Sequence, residues 1–391
     1  MRRGADSVVR KEKLVDRRLE NFARKVPFAD VDFSTLVSEA EKSKVRIFTD
    51  TLLDHQFDLL GSGPVFLGEN IDWHSDYVTG FRWDSSRLYT DAEDLMLAGS
   101  DIKRPWELNR CQHFVALGLA WRLFGEEKYL DEYVSGIDDW IVQNPVGYGV
   151  NWGCPMEVAI RAVNWLAGYA LFCAGLSGAE YVFFRKKLTT SLWEHGRFIG
   201  AHLEWNGPFS ERRANHFLAN LTGLFTLGVF FGDSRLGRSW LYFAKKWLEK
   251  EMQRQVLNDG VHFECSMSYH RLCLEMFMWC HYLGEIYQVP FSYSYLKRLE
   301  KMIVFSSAYT RPDGISPLFG DNDDGRLLCS GLVSINDHRY VFDKGGAGFS
   351  LIDAALLKGN RISHAETGPG LHIFEASGFY VFQRSDVHLI I

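Results

Sequence analysis

The sequence predicts a mainly α-helical fold of antiparallel helical hairpins, followed by a short run of β-strands near the C-terminus. Three observations carry this. Apolar residues recur at three- and four-residue spacing from Trp106 to Tyr309, the period of packed helices. Short connections containing Gly, Pro, Asn or Asp interrupt that pattern, so successive helices fold back on one another. After about residue 310 the texture changes to short β-branched and aromatic runs bounded by glycine.

Taken in order, residues 1–32 read as a polar helix and linker, rich in Arg, Lys, Glu and Asp. Residues 33–325 form the main helical domain. Phe33 to Phe57 is helical and ends at the breaker Gly61-Ser62-Gly63-Pro64. Val65 to Asp101 is loop-rich, with Trp73, His74, Asp76, Tyr77, Trp83 and Tyr89; long loops of this kind often carry function. Helices are predicted over 106–124, 127–143, 155–174, 180–204, 213–231, 235–255, 264–287 and 293–309. Residues 326–391 begin a β-rich domain, with strands over 339–342, 348–352, 378–383 and 387–391. The sequence stops inside the last strand, which predicts that this domain is only begun.

With 47% hydrophobic and 15% aromatic residues in 391, the chain can bury a large core and is not a disordered polymer. Its formal charge of −6 requires any anion site to be a local basic patch. No basic tail, zinc finger or glycine-rich phosphate loop occurs, which argues against nucleic-acid and nucleotide partners. The seven cysteines are scattered without C-x-x-C spacing, so neither a zinc knuckle nor a redox motif is supported. Cys265, Cys273 and Cys280 fall on one predicted helix and read as buried thiols. The N-terminal stretch lacks an apolar run of signal-peptide length, and no later segment is apolar enough to span a membrane. A soluble chain is expected.

Two stretches carry the chemistry. Arg212-Arg213-Ala214-Asn215-His216-Phe217-Leu218 and Ser266-Met267-Ser268-Tyr269-His270 each place polar groups at the start of an apolar helical run. Packed side by side, the two helices would aim an Asn-His pair and a Tyr-His pair into one cleft. That set suits proton abstraction beside a carboxylate, because it contains both a charge-neutralising donor and a base. Each residue has a plainer reading. Asn215 is a suitable helix N-cap, Tyr269 a core aromatic, and His216 and His270 buried, hydrogen-bonded imidazoles. Arg110, Arg161 and Arg213 are candidate carboxylate or sulfate binders. Against this, Glu107 with Arg110 and Glu157 with Arg161 have the spacing of intrahelical pairs. Trp106 and Trp152, beside predicted breaks, are candidate sugar-stacking platforms, although a helical Trp is usually core. Asp321, Asp323 and Asp324 lack the distal glutamate of a calcium loop and read as loop-fixing or helix-capping groups. His262, His364 and His372 have no metal-ligand spacing, so no metal ligands are assigned.

The Asn215-His216 pair and the Gly260-x-His262-Phe263-Glu264-x-Ser266-x-x-Tyr269-His270 run, 269 − 215 = 54 residues apart, resemble the heparinase II/III-like polysaccharide lyases. Further pieces agree: Pro105-Trp106-Glu107-Leu108-Asn109-Arg110, Asn151-Trp152 with Met156-Glu157-Val158-Ala159-Ile160-Arg161, and Phe319-Gly320-Asp321-Asn322-Asp323. The resemblance covers residues 35 to 391 and rests on order and spacing together. It implies an (α/α) toroid, incomplete here, with a concave cleft, followed by the start of an antiparallel β-sandwich. It implies β-elimination on a uronic-acid-containing acidic polysaccharide, with Asn215 as neutraliser, Tyr269 as acid/base, and His216 and His270 in support. Trp106, Arg110, Trp152, Glu157, Arg161 and Arg213 become substrate-binding candidates. No cofactor is required by this chemistry. In relatives the stretch that follows supplies a further histidine and often a structural metal, and many act in the bacterial periplasm or outside the cell. Competing expectations are a glycoside hydrolase using Glu157 and Glu264, and a non-catalytic glycan-binding or biosynthesis-associated protein.

Overall fold

The computed structural model describes residues 12–26, 31–91, 99–205, 213–323, 325–342, 367–384 and 387–391. The strand expected over 348–352 and the residues Asp324 and His364 lie outside them.

Helix α1 (Glu12–Lys25) is polar by composition but amphipathic in space, burying Val15, Leu19, Phe22 and Ala23. A short turn, α2 (Phe33–Leu36), leads to α3 (Glu39–Leu53), which starts with a reciprocal Ser38–Glu41 capping box. The helix expected over 106–124 is two helices, α4 (Lys103–Asn109) and α5 (His113–Phe124). Cys111, with φ of 54°, turns the chain between them. Gly125 closes α5 in the left-handed conformation that lacks a Cβ penalty. The hairpins continue through α6 (Glu127–Gln143), α7 (Pro155–Phe172), α8 (Val182–Ala201), α9 (Asn215–Phe230), α10 (Arg235–Gln255), α11 (Met267–Ile286) and α12 (Tyr293–Tyr309). All follow the sequence reading to within a few residues.

Burial sorts these helices into two layers. Every residue of α7 is buried, and His216 is the one residue of α9 that is not. Between Met267 and Gly284 of α11, only Tyr269 escapes burial. By contrast α6, α8, α10 and α12 bury one face each. The inner helices α5, α7, α9 and α11 touch in sequence, and each packs against the outer helix that follows it. Close approach between α7 and α9 needs Gly223, where an added Cβ would lie 2.7 Å from that of Ala159. Helix α1 docks on α7, α8 and α9, and Arg18 pairs with Asp233 at 2.8 Å.

Strand content is small among the described residues. β1 (Gln56–Phe57) pairs with β2 (Val65–Phe66). Near the C-terminus β3 (Gly370–Phe374), β4 (Phe379–Gln383) and β5 (His388–Ile390) form an antiparallel sheet in the order β3-β4-β5. Phe374, Phe379 and Val381 pack on Phe305 and Tyr309 of α12, so the sheet is seated on the helical body. β3 was not expected. The strand expected over 339–342 is instead a 3-10 turn at Arg339–Val341. Asp337 accepts the Arg339 backbone N–H at 3.1 Å and its side-chain Nε at 3.0 Å, a local bond that competes with strand pairing. Among the described residues, no helix is long and apolar enough to cross a membrane.

Candidate active site

His216 of α9 and Tyr269 of α11, each left open among buried neighbours, line the same cleft. It lies at the N-terminal ends of α7, α9 and α11, beside α4. Asn215, Trp106, Arg110 and Glu157 also line it, with Lys103, Glu107 and Asp323.

Asn215 is the first residue of α9, not its cap. Ala214 holds the cap position and makes no side-chain capping bond. The Asn215 Nδ2 donates to both carboxylate oxygens of Glu264, at 3.0 and 2.9 Å. Burial raises the Glu264 pKa above the usual carboxylate value, and the Asn215 bond only partly offsets it.

Tyr269 sits in the first turn of α11. Ser266 caps that helix by accepting the Tyr269 N–H at 3.1 Å. The half-buried Tyr269 hydroxyl donates to Asp323 Oδ2 at 3.0 Å. Burial first, then the Asp323 charge and hydrogen bond, hold the phenol well above its ordinary pKa, so it carries its proton. Asp323 is itself fixed. Its Oδ1 accepts the Gly325 N–H at 3.0 Å, and its carbonyl accepts the Ser268 hydroxyl at 2.6 Å. Gly320, at φ of 73°, lets this loop approach Ser266, where an added Cβ would lie 2.9 Å from the Ser266 Cα.

His216 Nδ1 lies 2.7 Å from Glu204 Oε1. The surrounding cleft walls partly desolvate the His216 ring and so lower its pKa, but the Glu204 hydrogen bond and the charges of Glu204 and Glu157 together more than offset this, leaving the value raised. Glu204 is anchored by Asn220, whose Nδ2 donates to Oε2 at 2.9 Å and whose Oδ1 accepts the Glu204 backbone N–H at 2.8 Å.

Arg110 reaches the cleft already engaged. It donates to Glu157 through Nε at 2.6 Å and Nη2 at 2.9 Å, and to Glu107 through Nη1 at 2.5 Å. Trp106 also lines the cleft, with Nε1 donating to the Val150 carbonyl at 2.9 Å.

Four expected site residues lie elsewhere. His270 is buried; its Nδ1 accepts the His262 backbone N–H at 3.2 Å and its Nε2 meets the Met302 carbonyl at 3.1 Å. Burial lowers its pKa to about 4, so it is a neutral structural imidazole. Arg161 is fully buried, donating to His195 at 2.9 Å beneath Trp140. It does not pair with Glu157. Trp152 is fully buried against Trp140, His195 and Phe198, and offers no face to a sugar. Arg213 donates to Glu251 at 2.7 Å and lies over Trp247. The motif residues Asn109 and Asn151 share this structural role, both donating to the Trp73 carbonyl from beneath the site. Sequence reasoning missed Glu204 and Lys103, which stand in no telling spacing. It assigned Asp323 to loop fixing, which the structure bears out, without seeing that it also holds Tyr269.

The family model for the heparinase II/III N-terminus matches residues 10–341. A heparin-sulfate lyase of Pedobacter heparinus is 25% identical over 315 residues, covering 78% of this chain and 43% of the relative. One from Bacteroides stercoris is 26% identical over 321 residues, covering 76% and 43%. The chain thus spans less than half the length of these curated relatives. Among solved structures, heparan sulfate lyase from Pedobacter heparinus aligns with a TM-score of 0.55 at 22% identity, over 95% of this chain and 54% of that one. A structure of heparinase III aligns with a TM-score of 0.57 at 18% identity, over 95% and 55%. At these identities the structural likeness speaks for the fold, an α/α toroid of inner and outer helices with a small sheet after it. The family match covers most of the sequence, and the chain belongs to the heparinase II/III family.

Proposed function

We propose that this cleft serves β-elimination on a uronate-containing acidic polysaccharide, as part of a polysaccharide lyase. The carrying observation is that a carboxylate-binding amide, an imidazole and a protonated phenol line one cleft. Removing the C5 proton of a uronate is slow while its carboxylate keeps full charge. A donor that binds the enolate-like state more strongly than the ground state lowers that barrier. Asn215 fits this role, and Glu264 already presents a carboxylate to its amide. Glu204 engages His216 at Nδ1, and among the described residues Nε2 has no hydrogen-bond partner. His216 Nε2 is therefore the base that takes the C5 proton. The C4–oxygen bond breaks as the C4–C5 double bond forms, and Tyr269 protonates the leaving oxygen. Asp323 positions that hydroxyl.

Attraction of an anionic chain does not come from the ionised side chains alone, because Lys103 and Arg110 face Glu107, Glu157 and Asp323. The N-terminal ends of α7 and α9, both without side-chain caps, add the positive end of two helix dipoles. A hydrolase reading is weaker here, since both Glu157 oxygens accept from Arg110 and neither is placed to deliver a proton.

The test is incubation with a panel of uronate glycans, reading ultraviolet absorbance of unsaturated uronide ends. Their appearance is the expected result. New reducing ends without unsaturation would replace this reading by hydrolysis. Glycan binding without any cleavage would make the protein a binding module.

A further inference from the structure

Three side chains from separate stretches of the chain converge at one point. Cys154 occupies the N-cap position of α7, Glu204 follows α8, and His216 is the second residue of α9. The Cys154 sulfur lies 3.8 Å from both His216 Nδ1 and Glu204 Oε1, and the three ligand atoms fall within 4.8 Å of one another. We propose that Cys154, Glu204 and His216 bind a thiophilic divalent transition-metal ion of the Zn²⁺ class.

Tetrahedral zinc bonds of ordinary length place sulfur, nitrogen and oxygen ligands about 3.3–3.6 Å apart. The sulfur already stands near that separation from both partners. The imidazole and carboxylate, 2.7 Å apart, need to open by about 0.6 Å to admit the ion. Orientation is prepared as in built metal sites, where a second layer of hydrogen bonds fixes the ligands. Fully buried Asn220 grips the Glu204 backbone and Oε2, so Oε1 is the oxygen turned to Cys154 and His216. The donor set selects the metal. Thiolate with imidazole suits borderline-soft ions and not Ca²⁺ or Mg²⁺, which take oxygen ligands. Three protein ligands leave a fourth position for water. On binding, the Cys154 thiol releases its proton to solvent and the sulfur takes the metal.

One consequence rests on the lyase reading. A metal on Nδ1 displaces the ring proton from that nitrogen to Nε2, converting the proposed base into a donor. Zn²⁺ should then suppress turnover.

Binding itself is tested independently of turnover, with tag-free protein and Co²⁺ alone as the probe. One equivalent should produce a thiolate-to-cobalt charge-transfer band that one equivalent of Zn²⁺ abolishes. Cys154→Ser should lose the band, while Cys265→Ser keeps it. Glu204→Gln and His216→Ala should each weaken affinity at least 10-fold, and Asn220→Ala by about 10–100-fold, as for other second-layer partners. Should Cys154→Ser fail to fold, by circular dichroism, the Glu204→Gln affinity decides. No stoichiometric band in the natural protein, a band that survives Cys154→Ser, or unchanged affinity in Glu204→Gln would overturn the site. Metal binding without loss of turnover would leave the site standing and remove His216 as base.

Discussion

Replacing Arg110 by Met separates a substrate-binding arginine from one that holds the cleft together. Arg110 is 8% exposed and Glu157 3%, and three charge-assisted hydrogen bonds join Arg110 to Glu107 and Glu157. Burial alone would discourage the guanidinium charge, but the two carboxylates outweigh it and raise its pKa. Removing the cation takes both bonds from Glu157 and leaves that carboxylate in a desolvated position. Breaking a buried ion pair from one side costs about 3–5 kcal/mol. Urea unfolding followed by tryptophan fluorescence should show a loss of that order. The double variant Arg110→Met/Glu157→Gln should recover part of it, because the stranded charge is gone. A separate binding titration at low urea should show a smaller effect on glycan affinity than on stability. Stability within about 1 kcal/mol of the natural protein, the range of a surface ion pair, with binding abolished, would refute this and return Arg110 to the substrate.

Trp152→Ala should destabilise by about 3–5 kcal/mol while leaving KM unchanged in the fraction that folds, because the ring is wholly core; a selective rise in KM would contradict its placement. Ser266→Ala removes the α11 cap and should cost about 1 kcal/mol in denaturant unfolding. It should also lower kcat through a looser Tyr269, and unchanged unfolding would argue against the cap. His55 bonds Glu132 at 3.2 Å, and that bond, against opposing burial, raises its pKa in the folded state. Its contribution is therefore full below the unfolded value of about 6.5 and is lost as pH rises through the higher folded value. The stability gap between the natural protein and His55→Gln should shrink above about pH 6.5, and a gap that widens there would reverse the assignment.

The helices were legible because apolar spacing alone specifies them, and α6, α10 and α12 begin and end where the pattern does. Site membership was half legible. Asn215, His216 and Tyr269 open inner helices, and their polar character at those ends reflects the cleft. Arg161, one turn beyond Glu157, has the same local pattern, yet it turns to His195 and never reaches the cleft. Periodicity says that a helix is buried all round, not which end meets solvent. His270 follows Tyr269 directly, and a helix turns consecutive residues about 100° apart, which is enough to separate cleft from core. Glu204 carried no signal, since its role depends on Asn220 and His216 arriving from another helix. The turn at Arg339–Val341 looked like a strand because Tyr340 and Val341 are buried apolar residues, and only the Asp337 contacts distinguish it.

Proton transfer by Tyr269, in a cleft where Asn215 neutralises a carboxylate, is tested most directly by steady-state kinetics of Tyr269→Phe on a glycan the natural protein cleaves. This variant deletes one oxygen from a half-buried ring and should leave the melting curve and KM nearly unchanged. Turnover should fall by about 10²–10⁴-fold, the worth of a positioned acid or base. Asn215→Ala, measured beside it, should also lose kcat more than it raises KM. Natural turnover by Tyr269→Phe, or a large loss of stability with no specific loss of kcat, would contradict the claim.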